Sequence, residues 1–101
     1  MAHRLIRYRT RPEHADANQA LVQAVFAELR SRQPEGFRYL VLRAPGDSFL
    51  HLVTVEAGKD TARLTSLPSF GEFQRELRER CLEQPESGEV TIAGNHRMLL
   101  P

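Results

Sequence analysis

Phe37 to Glu56, FRYLVLRAPGDSFLHLVTVE, is the stretch that decides the fold. Two apolar runs, FRYLVLR and FLHLVTVE, flank Ala44-Pro45-Gly46-Asp47-Ser48. Proline presets one dihedral of a turn, and glycine accepts the positive φ that many turns require. The stretch is therefore expected to form a β-hairpin. In an antiparallel sheet with one wet face, each strand alternates apolar and polar residues. Here both faces are apolar. Phe37, Tyr39 and Val41 share one face of the first strand, and Leu40 and Leu42 the other. In the second strand Phe49, Val53 and Val55 face one way, and Leu50 and Leu52 the opposite way. Helices of the same chain suffice for one face. The other needs a different cover, and a second copy of the chain is the simplest. Symmetric pairing across the turn puts His51 opposite Val41, on the face of Tyr39.

Upstream of the hairpin, Leu21, Val22, Val25, Phe26 and Leu29 recur at spacings of one and three, the stripe of an amphipathic helix. Alanines at 15, 17, 20, 24 and 27 favour helix. Gln33-Pro34-Glu35-Gly36 ends it. Thr10-x-x-Glu13 matches a capping box at its start. Before that, His3 to Arg9 reads as a strand, frayed or at a sheet edge, with Arg4, Arg7, Arg9 and Arg11 protecting the edge.

Downstream, Asp60 to Leu67 can begin a short helix that Pro68 interrupts, and Ser69-x-x-Glu72 offers a fresh capping box. Phe70, Phe73, Leu77 and Cys81 step by three, four and four, predicting a second helix over 69–83, with Glu76 and Arg80 as a surface i, i+4 pair. Gln84 to Gly88 closes it. EVTIAGNHRMLL, residues 89–100, is expected to be the last strand, with a bulge or bend at Gly94-Asn95. The order β-α-β, β-α-β makes an α+β, ferredoxin-like split βαβ fold, an antiparallel four-stranded sheet with two helices on one face.

The 101 residues are expected to form one domain spanning 1–101. Lys+Arg 14 against Asp+Glu 13 leaves a net charge of +1, so no bulk charge favours nucleic acid or an anionic membrane. An RNA-binding reading of the same fold would need a K/R-G-F-G-F pattern, which SFLHLVTVE lacks. The arginine-bearing N-terminus has no apolar core of a signal peptide, and no apolar run matches a bilayer. Together with the lone Cys81, this makes a cytoplasmic location the expectation. The histidines at 3, 14, 51 and 96 fall on separate elements, so neither a metal nor another cofactor is expected.

His51 is the polar residue that stands out, set inside an apolar strand where it needs a partner if buried. Its imidazole suits acid–base work, and equally a structural or interface role. Tyr39 and Tyr8 can donate hydrogen bonds to a substrate oxygen or serve in packing. Phe70 and Phe73 are candidates to line a cavity, or core. Arg7 and Arg43 suit an anionic group or surface ion pairs. His96 and Arg97, next to Gly94-Asn95, are either re-aimed into a site or solvated.

SLPSFGEFQREL, residues 66–77, carries Pro68 followed by Phe70 and Phe73, and with the element order and chain length it resembles the antibiotic biosynthesis monooxygenase-like group. The resemblance implies a dimeric α+β barrel, a homodimer whose two sheets pack face to face, each subunit keeping a pocket between sheet and helices. It also implies oxygenation of phenols, quinols or anthrones without metal or flavin, in an apolar cavity with groups that stabilise a developing phenolate or enolate. On that reading His51 and Tyr39 are the candidate catalytic residues, and Tyr8, Arg7, Phe70, Phe73 and His96 the candidate substrate-binding ones. The chain has no Trp, which several active members use, and 69–83 holds no His, the haem ligand of haem-degrading relatives. A non-catalytic small-molecule-binding or interaction module is the second reading.

Overall fold

The computed structural model describes residues 1–99. Its elements run β1 (Ala2–Thr10), a 3-10 turn (Pro12–His14), α1 (Ala15–Arg32), β2 (Phe37–Ala44), β3 (Ser48–Val55), α2 (Ala62–Thr65), α3 (Pro68–Gln74), α4 (Leu77–Arg80) and β4 (Cys81–Val90). The strands form one antiparallel sheet in the order β2-β3-β1-β4. The hairpin pairs as its turn predicts, Val41 opposite His51 and Tyr39 opposite Val53. Gly46 at φ 80° and Asp47 at φ 60° supply the left-handed backbone of the turn. The fold is α+β and ferredoxin-like.

Helices cover one face only. Tyr8 and Phe49 from the sheet close a buried core with Val22, Val25, Leu64, Leu67, Phe73 and Leu77. On the other face Leu40 and Leu42 stay 41% and 54% exposed. They flank the half-buried Leu50 and Leu52 of β3. No helix among the described residues is long and apolar enough to cross a membrane.

Several sequence expectations give way. β1 lies between β3 and β4, so it is interior and not an edge. Its arginines reach sideways instead, Arg4 donating to Ser87 Oγ and Arg9 pairing with Glu83. Neither capping box forms. Thr10 ends β1, buried, and the helix cap at His14 receives no side-chain hydrogen bond. Ser69 follows Pro68 at the start of α3, and its backbone N–H and hydroxyl donate to Glu28 Oε1 of α1 at 3.0 and 2.6 Å. These bonds hold the Glu28 carboxyl below its ordinary pKa and tie the two helices together.

The predicted helix over 69–83 is broken. Arg75 is extended and Glu76 left-handed at φ 61°, after which α4 is a single turn. Cys81 is therefore the buried first residue of β4, not a point on a helical stripe. The last strand is 81–90, not 89–100; Gly94-Asn95 follows it, and Leu100 lies outside the described residues. Two irregularities do occur, but within β4. Between Arg7 and Arg9 the pairing advances from Glu86 to Glu83, so Gln84 and Pro85 together face Tyr8. A further step from Glu83 to Cys81 leaves Leu82 unpaired. Proline is tolerated at such a bulge on an edge strand.

Candidate functional site

Between the helix-covered face of the sheet and the segment running from α2 to the start of β4 lies a cavity of about 550 Å³. Strand alternation brings Ile6 and Tyr8 of β1, Tyr39 of β2, and His51 and Val53 of β3 onto its floor. Leu64, Phe70, Phe73 and Leu77 supply the apolar roof, and Gln84 and Pro85 of the bulge one rim. The rings are locked by stacking: Phe26 on Tyr39 at 5.0 Å between centroids, Tyr8 on Phe49 at 5.5 Å, and Phe73 tilted over His51 at 5.4 Å.

His51 is buried at the centre. Its Nδ1 lies 2.6 Å from Tyr39 Oη and its Nε2 2.9 Å from Tyr8 Oη. Tyr8 Oη also accepts a 2.8 Å hydrogen bond from Asn18 Nδ2 on α1. Asn18 Oδ1 in turn accepts from Arg80 Nε at 3.1 Å. Burial lowers the His51 pKa to about 4, so the imidazole is neutral at pH 7. Burial likewise pushes both phenols above their ordinary value, so they too are neutral. The cavity thus presents neutral groups that can each donate or accept beneath an apolar roof, while Gln74, Glu76, Arg78, Glu79 and Gln84 also line it.

Arg80 organises the roof. Its Nη2 and Nη1 donate to the carbonyls of Phe73 and Arg75 at 2.6 and 2.9 Å, the acceptors exposed where the helix breaks. Its guanidinium also stands 5.7 Å over the Phe73 ring. It is 8% exposed, not the surface partner of Glu76 that helical spacing predicts.

Of the residues singled out from the sequence, His51, Tyr39, Tyr8, Phe70 and Phe73 come together around this cavity. Arg7 and His96 do not. Arg7 is exposed on the opposite face of the sheet, one residue past Ile6, the partner of His51. His96 is exposed beyond the end of β4. Arg43 is held by Asp16 and Asp47 on the surface. Asn18 and Arg80 were missed, although both left a trace. Asn18 sits four and seven residues before Val22 and Val25, and Arg80 three after Leu77, so each continues an apolar stripe with a polar residue.

A second groove, of about 610 Å³, runs between α1 and β2 over Val22, Phe26, Leu40 and Val41. It is larger, but the imidazole and phenols converge on the first cavity, which is the better candidate.

No protein-family model matches the sequence, and no curated protein sequence does. Solved structures do match. A protein of Nitrosomonas europaea, provisionally named an antibiotic biosynthesis monooxygenase, aligns at a TM-score of 0.73 and 11% identity, over 93% of this chain and 100% of its own. A Caulobacter crescentus protein with the same provisional name aligns at 0.70 and 10% identity, over 92% and 90%. One from Chloroflexus aurantiacus, also so named, aligns at 0.65 and 23% identity, over 95% and 97%. The fold of this chain is the α+β, ferredoxin-like fold of these antibiotic biosynthesis monooxygenase-like structures.

Proposed function

We propose that the chain is a single homodimeric domain whose cavity takes a small phenol, quinol or anthrone and oxygenates it without a cofactor, in the cytoplasm. The observation that carries the reading is the hydrogen-bonded set Tyr39–His51–Tyr8 at the floor of a cavity of about 550 Å³ with an apolar roof. That volume lies within the range of small-molecule sites, ~300–1,000 Å³. With an anthrone the diaryl methylene becomes a carbonyl: dioxygen supplies the inserted oxygen, and its second atom leaves as water with the two methylene hydrogens. The reacting species is an enolate or phenolate, and donors aimed at its oxygen in a dry site stabilise it. Phe70 and Phe73 would pack on the rings, and Tyr39 would meet the oxygen.

The test is oxygen uptake with a panel of quinols and anthrones. Turnover that falls at least tenfold in His51→Ala is expected. No turnover of any substrate, with ligand affinity unchanged in His51→Ala, rejects the enzyme. One observation favours the second reading, a binding module without chemistry: a ring whose pKa is held at about 4 is a weak proton acceptor, so the substrate must ionise without much help from His51. Ligand binding without oxygen uptake would establish that reading.

The dimer rests on the uncovered face with Leu40 and Leu42. Light scattering at micromolar concentration is expected to give twice the chain mass, and Leu42→Glu a monomer. A monomeric wild type contradicts it.

A further inference from the structure

The network from Arg80 to Tyr39 runs in one direction, and the direction follows from which atoms can donate. A guanidinium only donates. The Asn18 atom 3.1 Å from Arg80 Nε is therefore its oxygen, which turns the amide nitrogen towards Tyr8 at 2.8 Å. Tyr8 Oη accepts there. Among the described residues its own proton then has one acceptor within reach, His51 Nε2 at 2.9 Å. In a neutral ring a bare Nε2 puts the proton on Nδ1, which donates to Tyr39 Oη at 2.6 Å. The Tyr39 proton is left over, and Tyr39 lines the cavity.

The alternatives strand buried protons. With the ring proton on Nε2, the Tyr8 oxygen accepts twice and its hydrogen, on a phenol only 2% exposed where Tyr39 is half-buried, meets no acceptor among the described residues, which disfavours that form by about ten- to hundredfold. An imidazolium, donating on both sides, would leave both phenol hydrogens without the ring as acceptor. We infer that Arg80 and Asn18 are positioning residues that hold His51 as the Nδ1–H tautomer, and that Tyr39 therefore meets a ligand as a donor, selecting one with an acceptor oxygen such as a phenolate, an enolate or a quinone carbonyl. The ligand half rests on the cavity being the binding site proposed above. The tautomer half does not.

Nitrogen-15 NMR of histidine-labelled, ligand-free protein, with His51 assigned by the loss of its signals in His51→Gln, reads the tautomer directly. The wild type is expected to carry its proton on Nδ1, with Nε2 bare. Asn18→Asp keeps the side-chain shape and gives Arg80 a carboxylate oxygen, while the other oxygen takes the Tyr8 proton. The chain should then reverse, the His51 proton moving to Nε2 and Tyr39 donating to Nδ1. With 4-nitrophenolate as the probe, affinity should fall about tenfold or more in Asn18→Asp as the cavity loses its donor. An Nε2–H wild type, or a folded Asn18→Asp that keeps Nδ1–H, overturns the inference, and the wild-type spectrum alone decides it if the variant does not fold. An Nδ1–H wild type that switches in Asn18→Asp but never binds 4-nitrophenolate upholds the positioning role and rejects the cavity as a phenolate site.

Discussion

Arg80→Ala is expected to lower the folding stability by roughly 3–5 kcal/mol, because it strips two buried acceptors and one part-buried acceptor of one charged donor. The carbonyls of Phe73 and Arg75 and the amide oxygen of Asn18 all depend on this guanidinium. The two carbonyls belong to the break between α3 and α4, where extended Arg75 and left-handed Glu76 end the helical ladder. Hydrogen bonds from a charged donor contribute about 1.5–3 kcal/mol each, and water entering the gap offsets part of the loss. Against a typical stability of about 5–15 kcal/mol, the variant sits close to unfolding. Arg80→Lys should fall between the two, since one ammonium lacks the planar fork that spans several acceptors. Urea denaturation at fixed pH measures both. A loss under about 1 kcal/mol for Arg80→Ala would mean that the clamp does not hold the roof.

Acid is expected to weaken the fold through His51. Its pKa in the folded chain is held down to about 4 by burial, against about 6.5 for an exposed imidazole. Between those values the unfolded chain binds a proton that the folded one refuses. The contribution is therefore fully present above about pH 6.5 and is lost as pH falls towards 4, on the order of 3 kcal/mol in all. The melting temperature should drop across that window, and the drop should shrink in His51→Gln, which does not titrate there. An equally steep loss in His51→Gln would assign the acid sensitivity to other groups. Glu28 acts lower in the pH range. Its bonds to Ser69 keep its carboxyl below the ordinary value, so its share is present above the ordinary carboxylate pKa and lost as pH falls below it.

The hairpin was legible in its register: symmetric pairing across the turn puts Val41 opposite His51, as the structure does, although Ala44 and Ser48, read as turn, pair as the last residues of the two strands. The stripe of α1 was equally plain. The region from Ser69 onward was not, and the reason is physical. Phe70, Phe73, Leu77 and Cys81 keep helical spacing across a break at Arg75-Glu76, where Glu76 is left-handed and Arg80, tied to Asn18 of α1, takes up the free carbonyls. Periodicity alone runs the helix straight through it. β4, CLEQPESGEV, is an edge strand with Pro, Gly and mostly exposed side chains, so it lacks the apolar alternation by which strands are recognised. Arg7 and His96 were chosen for their chemistry, and the structure places both away from the cavity. Arg7 falls on the wrong side of the pleat, and His96 lies beyond a strand that ends earlier than its sequence suggests. Asn18 and Arg80 fall where an apolar stripe turns polar, and at both positions the polar side chain is buried and paired.

The claim on which these readings converge is that a ligand oxygen docks against Tyr39 inside the cavity beneath the sheet. A crystal structure of the protein with an anthrone, grown without oxygen so that nothing turns over, tests it most directly. The oxygen of the ligand is expected within hydrogen-bonding distance of Tyr39 Oη, with its rings against Phe70 and Phe73. A ligand lodged instead in the groove between α1 and β2, or an ordered cavity left empty at saturating anthrone, would contradict it.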